Sequence, residues 1–252
     1  MFSVRKTTIF HGDANFYCLL YILCITSVVI TCYGNNYLVI FLSSSILHLL
    51  IEAGLAISGI RKGDTFLFGK KMSKVTEILL RSFVEGPAFC VPAYYLADQI
   101  IKGNTFAGFG ISLVVVGLAA YYLAYSDRVS LNKISNDKQL IISRRAMTKP
   151  KAVMLLGLLN TFCISMLFLI PENSRNHAFL YLMSYAIFVL LFYFINYNMG
   201  VRYIELYDPE TKTYYRPGLM MQTAGLFYDS VYEMALLISI AYWVPFYLGL
   251  FN

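Results

Sequence analysis

Seven long apolar segments, separated by loops whose basic residues gather on one side, constrain this chain more than any single motif. A membrane-crossing helix needs about 20 predominantly apolar residues. Segments at residues 15–33, 37–60, 77–101, 107–126, 152–170, 177–200 and 222–250 fit that requirement. The chain has 20 Lys and Arg residues, and their placement decides the orientation. Arg5 and Lys6 precede the first segment, and Arg61, Lys62, Lys70, Lys71, Lys74 and Arg81 follow the second or open the third. Arg128, Lys133, Lys138, Arg144, Arg145, Lys149 and Lys151 follow the fourth, and Arg202, Lys212 and Arg216 follow the sixth. Only Lys102 and Arg175 lie in the intervening loops. Cytoplasmic loops carry the excess of Lys and Arg. The sequence therefore predicts an all-α, polytopic membrane protein with seven transmembrane helices and a cytoplasmic N-terminus. Residues 1–252 are expected to form a single transmembrane helical-bundle domain.

Composition agrees with that expectation. Hydrophobic residues make up 58% of the chain and charged residues 13%, against about 25% charged in soluble domains. Mean hydropathy is +0.62. The first apolar segment lacks a small-residue cleavage site, so it reads as a first span and not as a removed leader. The third is interrupted by Glu85, Gly86, Pro87 and Pro92, which predicts a kink. The basic 127–151 loop is expected to rest on anionic lipid headgroups, and no nucleic-acid partner is expected. Tyr207 to Tyr215 reads as a turn between short extended arms. No internal repeat marks a transporter built from two halves. The expected location is an integral, multi-pass position in the endoplasmic reticulum or a bacterial inner membrane. The sequence leaves the oligomeric state open, a homo-oligomer included.

Chemistry-bearing residues are few. The five cysteines show no metal spacing, and three histidines argue against a haem or a histidine-cluster metal site. No metal and no cofactor is expected. The last span has no lysine for a retinal Schiff base. His48 and Glu52 stand one helical turn apart in the second apolar segment, a spacing that puts both on one face. Ionisable residues inside a membrane are costly and generally functional. With a rise of about 1.5 Å per residue, Glu52 and Glu85 each lie about 12 Å from the inner end of their spans. Asp229 and Glu233, again one turn apart in the last segment, come out at about 10 and 16 Å. Four carboxylates near one level cannot all be ionised in a low dielectric, and a carboxyl that keeps its proton is a general acid. His48, Glu52, Glu85, Asp229 and Glu233 are therefore the candidate catalytic residues. Asn160, Asn196 and Tyr232 are the candidate substrate-binding residues, completing a polar lining with Asn198.

The stretch from Ile46 to Gly54, with His48 and Glu52 inside apolar sequence, is similar to the second membrane helix of the EXPERA-domain family. That family includes a sterol isomerase and the sigma-2 receptor. Glu85 stands where the family's next-helix acid is expected, with Gly86 and Pro87 beside it. The resemblance implies acid–base chemistry on a sterol-like alkene. One acid protonates a double bond, carboxylates and aromatic faces hold the carbocation, and a base removes a different proton. The family core has four or five spans, and its asparagine–tryptophan feature has no counterpart near Asn160. The chain also resembles small seven-helix membrane terpene cyclases, which carry an essential acid in an early helix and another in the last. Glu52 and Asp229 hold comparable places. The expected partner is thus a membrane lipid or isoprenoid substrate, and the expected activity a cofactor-independent isomerase or cyclase. A non-enzymatic protein that binds or transports amphipathic cationic or sterol-like ligands is the alternative, and a scaffold with polar helix contacts only is a third reading.

Overall fold

The computed structural model describes residues 2–9, 12–13, 34–59, 65–67, 70–134, 141–146, 150–235 and 238–251. Helix dominates. The helices are α1 (Asn35–Ile57), α2 (Lys74–Ile101), α3 (Thr105–Ile134), α4 (Pro150–Phe168), α5 (Glu172–Asn198), α6 (Leu219–Phe227) and α7 (Ile240–Tyr247). A π-helical segment, Tyr228–Ala235, continues directly from α6. The predicted first span, 15–33, lies outside the described residues.

The expectation of seven transmembrane helices is met in part. Among the described residues, α1 and α5 are long and apolar enough to cross a membrane, with shorter apolar stretches at Thr105–Leu118 and Val153–Phe168. The seventh segment is not one α-helix. It divides into α6, the π-helical segment and α7. The third segment, by contrast, is unbroken: α2 runs 28 residues through Pro87 and Pro92. Its start follows from local chemistry. Ser73 Oγ accepts the Thr76 N–H at 3.1 Å, and Glu77 sits in the first turn, where a carboxylate complements the helix dipole.

α2 is the central element, packed against α1, α3 and α5. Every residue from Gly86 through Ala97 is buried. A helix wrapped by other helices has no need of an apolar exterior, which accounts for its prolines, tyrosines and acids. The surrounding helices show the reverse. On α1, Leu38, Leu42, Ile46 and Leu50 form an exposed stripe, while Ser44, Ser45, His48 and Glu52 are buried. On α4, Met154, Leu155, Leu158 and Phe162 are exposed, and Asn160 is buried. The outer surface is thus apolar along these helices and the interior carries polar groups.

The all-α class holds, and two small sheets accompany the helices. Strands β1 (Phe2–Ile9), β5 (Ile141–Ala146), β6 (Arg202–Asp208) and β7 (Thr213–Tyr215) form a four-stranded sheet in the order β5-β1-β6-β7. All its pairings are antiparallel. A smaller sheet joins β2 (Gly12–Asp13), β3 (Thr65–Leu67) and β4 (Lys70–Lys71) in that order. The strands come from the N-terminal segment and the three basic loops that the charge pattern puts on one face. The turn expected between Tyr207 and Tyr215 is the β6–β7 hairpin. Asp208 shapes it by accepting the Glu210 N–H at 3.0 Å and the Thr211 hydroxyl at 2.9 Å. Those bonds, the Glu210 N–H first, hold its carboxyl below its ordinary value.

Gly200, with φ of 72°, ends α5 and turns the chain into β6. β6 is then fastened to α6. Gln222 accepts the Ile204 N–H at 3.1 Å and donates to the Ile204 carbonyl at 2.7 Å, imitating a neighbouring strand. Gly225 lets the backbones approach: a Cβ there would fall 2.1 Å from Ile204 Cγ1. Gly225→Val is therefore expected to cost about 1–3 kcal/mol as overpacking. Combining it with Ile204→Ala should recover part of that loss in thermal denaturation of the detergent-solubilised protein.

Candidate functional site

Ser44, His48 and Glu52 follow one another at four-residue intervals along α1, and all are buried. The line exists because an α-helix returns to the same face each turn. His48 Nδ1 lies 3.1 Å from the Ser44 carbonyl oxygen. A carbonyl only accepts, so Nδ1 carries a proton and Nε2 is the basic nitrogen of the neutral ring. Gly86 of α2 closes over this pair. A Cβ at that position would lie 2.6 Å from His48 Nδ1 and 2.8 Å from the Ser44 oxygen. The absence of a side chain at Gly86 thus holds α1 and α2 together at the imidazole. Glu52 is 4% exposed. The expectation that His48 and Glu52 share a buried face is met.

Glu85 departs from expectation. It sits beside Gly86, but its carboxylate accepts from Arg81 Nη1 at 3.0 Å, and its side chain is 25% exposed. Arg81 also bonds Glu77 at 3.3 Å, and Lys74 bonds Glu77 at 2.9 Å. Glu85 therefore ends a ladder of ion pairs along the first turns of α2.

Asp229 also differs from its expected role. Its side chain is fully buried in the π-helical segment, and Oδ2 receives Arg202 Nε at 3.0 Å and the Tyr197 hydroxyl at 3.1 Å. Arg202 comes from β6, lies over the Tyr193 ring at 4.4 Å and donates to the Tyr193 hydroxyl at 3.3 Å. Depth counting places a residue along a helix, but it does not show a cation arriving from another element. Sequence reasoning had put Arg202 in a loop and missed it as the partner. Glu233 lies one turn beyond Asp229, partly buried.

The expected substrate-binding residues form contacts within the helix bundle. Asn160 Nδ2 donates to the Tyr232 carbonyl at 2.9 Å, and the Tyr232 hydroxyl donates to the Val153 carbonyl at 2.8 Å. These bonds clamp α4 to the π-helical segment. The Asn160 Oδ1 is buried with no hydrogen-bond partner among the described residues. Asn196 donates to the Phe192 carbonyl of its own helix at 2.8 Å.

A cavity of about 240 Å³ opens at the other end of the bundle, lined by Asn35, Asn36, Tyr37, Tyr94, Asp98 and Lys102. Asp98 Oδ2 accepts the Tyr37 hydroxyl at 2.7 Å and Lys102 Nζ at 2.6 Å. Behind it, Tyr94 packs on His177 at 4.6 Å, and His177 Nδ1 meets the Tyr242 hydroxyl at 3.0 Å. Neither Asp98 nor His177 is among the candidates read from the sequence. The four-residue spacing of Asp98 and Lys102 was the visible signal. Among the described residues, no group of His, Cys, Asp and Glu could hold a metal ion.

The chemically capable groups therefore fall into separate places: His48 and Glu52 at the α1–α2 seam, Asp229 and Arg202 where the sheet meets the π-helical segment, and Asp98 at the far end. Breaking a buried ion pair from one side costs about 3–5 kcal/mol. Asp229→Asn or Arg202→Met is expected to lose that much, and Asp229→Asn with Arg202→Met to lose clearly less than the sum, as read by thermal denaturation. Comparison with protein families, with curated proteins and with solved structures returned no match for this chain.

Proposed function

We propose that this is a multi-pass membrane protein that performs proton transfer on an alkene of a sterol or polyprenyl-type lipid, with Glu52 as the acid. One observation carries the reading. α1 exposes Leu38, Leu42, Ile46 and Leu50 on its outer face and buries Ser44, His48 and Glu52 on its inner face. Water would favour the opposite arrangement, because each large apolar side chain gains about 1.5–3 kcal/mol on leaving it. A lipid surround accommodates such an exterior, and ionisable groups then face the bundle interior. The two sheets support a multi-pass arrangement: a strand cannot pair with a partner across a bilayer, and every described strand comes from a segment that the charge pattern assigns to the basic face.

The chemistry follows from the donor set. Glu52 in its protonated form gives its proton to one alkene carbon, and the π electrons form the new C–H bond. The positive charge on the other carbon is relieved when a base takes a proton from an adjacent carbon, leaving the double bond moved, or when a second alkene attacks it and closes a ring. His48 is set for the base role, since its Nδ1 proton is held by the Ser44 carbonyl and Nε2 stays basic. The burial of the seam excludes water that would quench the cation. Asp229, occupied by Arg202 and Tyr197, holds the fold around the site. This assignment revises the expectation of four cooperating carboxylates to one acid and one imidazole.

A second reading draws on the far cavity. Tyr37 and Tyr94 beside the Asp98 carboxylate are groups that attract an amphipathic cation, which fits a binding protein without turnover.

General acid–base catalysis contributes about 10²- to 10⁴-fold. Glu52→Gln is expected to lower turnover of an isoprenoid alkene by that factor with expression unchanged, while Glu85→Gln keeps most of it. Deuterium incorporated into the lipid from heavy water is the direct readout. Full incorporation by Glu52→Gln contradicts the proposal.

A further inference from the structure

Asp98 and Lys102 put both signs of charge at the mouth of the far cavity. They stand four residues apart near the end of α2, so the helix turns them to one face. Both line the cavity, with Asn35, Tyr37 and Tyr94. Asp98 Oδ2 takes the Tyr37 hydroxyl and Lys102 Nζ, and its Oδ1 takes no bond among the described residues. The Lys102 side chain is 57% exposed and that of Asp98 20%. An exposed ion pair one helical turn apart contributes little to stability, so a ligand opens it readily. Charge balance then selects the ligand. A plain cation at Asp98 displaces Lys102 and leaves it unpaired, and a plain anion at Lys102 does the same to Asp98. A zwitterion satisfies both, since its ammonium takes the carboxylate and its anionic group takes the lysine. The rings favour a primary over a quaternary ammonium. Tyr94 is in ring contact with His177 at 4.6 Å, Tyr37 at 5.2 Å and Phe251 at 5.9 Å, and both tyrosines are buried. Little ring face is open to a quaternary group, whereas the carboxylate accepts N–H donors.

We infer that this cavity binds the headgroup of an ethanolamine phospholipid, with Asp98 holding the ammonium and Lys102 the phosphate. The inference rests on the membrane-spanning part of the proposed function and on the cavity of its second reading, not on the chemistry at Glu52. Both bonds are charge-assisted, roughly twice as strong as neutral ones. Asn35, exposed on the rim, adds an amide donor for the phosphate. The surroundings favour a lipid over a free amino acid. Leu38, next to Tyr37, opens the exposed apolar stripe of α1. Ile101, next to Lys102, is exposed, as is Phe106 beyond the turn. Large apolar side chains on both sides of a charged mouth fit the level where headgroups meet acyl chains. Lys102 is one of the two basic residues that the charge pattern puts on this face, so the lipid comes from the leaflet away from the sheets.

The test uses the full chain in mild detergent and follows thermal unfolding. The probes are short-chain phosphatidylethanolamine, phosphatidylcholine and phosphatidylglycerol, with octylamine and glycerophosphoethanolamine. Phosphatidylethanolamine is expected to raise the midpoint most. Phosphatidylcholine lacks the N–H donors, phosphatidylglycerol the positive charge and octylamine the anion, so each should give a clearly smaller shift. Glycerophosphoethanolamine, the headgroup without chains, should need far higher concentrations. Asp98→Asn and Lys102→Gln should each raise the half-maximal phosphatidylethanolamine concentration on the order of 10-fold, and Lys102→Arg should keep most of the response. Lys102 is the more exposed of the pair, so Lys102→Gln decides the matter if Asp98→Asn does not fold. Equal shifts with phosphatidylcholine or phosphatidylglycerol, or an unchanged response in Lys102→Gln, overturn the inference. An equal shift with octylamine overturns it and leaves the second reading standing, and an equal shift with glycerophosphoethanolamine overturns it in favour of a soluble zwitterion. Alkaline extraction of native membranes separately tests whether the chain is integral, so failure of that reading is distinguishable.

Discussion

Backbone pairing in the four-stranded sheet constrains everything above it. Hydrogen-bonded strands lie about 4.7–4.9 Å apart, far less than the about 30 Å of a hydrocarbon core. β1, β5, β6 and β7 must therefore end on one side of whatever the helices traverse. Between β5 and β6 the chain runs out along α4 and back along α5. Between β1 and β5 it passes the 15–33 segment and then α1, α2 and α3. With the predicted 15–33 span counted, both intervals contain an even number of long segments, as a return to the same side requires. The smaller sheet makes the same demand of β2 and β3, which flank the 15–33 segment and α1. The sheets and the distribution of lysine and arginine are independent observations, and they agree.

The Arg202–Asp229 pair joins that sheet to the bundle. A buried carboxylate is costly without a counter-charge, and Asp229 meets the requirement with a cation from β6 and a hydroxyl from α5. The pair sits where the regular helix gives way to the π-helical segment, a form found mostly as short stretches at functional sites. Gln222 and Gly225 fix the adjoining strand from α6. Together these contacts commit Asp229 to architecture. Glu85 is likewise committed to Arg81. His48 and Glu52 lie on a different seam, where Gly86 brings α2 close against the imidazole.

Much of this was legible in the sequence. The apolar length of α1 and α5, the β6–β7 turn and the shared face of His48 and Glu52 all follow from short-range pattern. What was not legible depends on partners distant in the chain. Arg202 and Asp229 are 27 residues apart, and nothing local to either announces the other. The strands at the N-terminus and at 141–146 are short, and they are defined by pairing with each other. The continuity of α2 through two prolines reflects its enclosure by three helices, which a window along the sequence does not see. The break of the last segment into α6, a π-helical segment and α7 reflects the same long-range demand, imposed through Asp229.

The central claim is that the sheet and the α2–α3 turn lie on opposite sides of a membrane. Single cysteines placed at Thr211, in the β6–β7 hairpin, and at Asn104, between α2 and α3, test it most directly in a chain freed of its five native cysteines. A membrane-impermeant maleimide applied to intact cells should label position 104 at once and position 211 only after the membrane is opened. Equal labelling of both positions in intact cells contradicts the account.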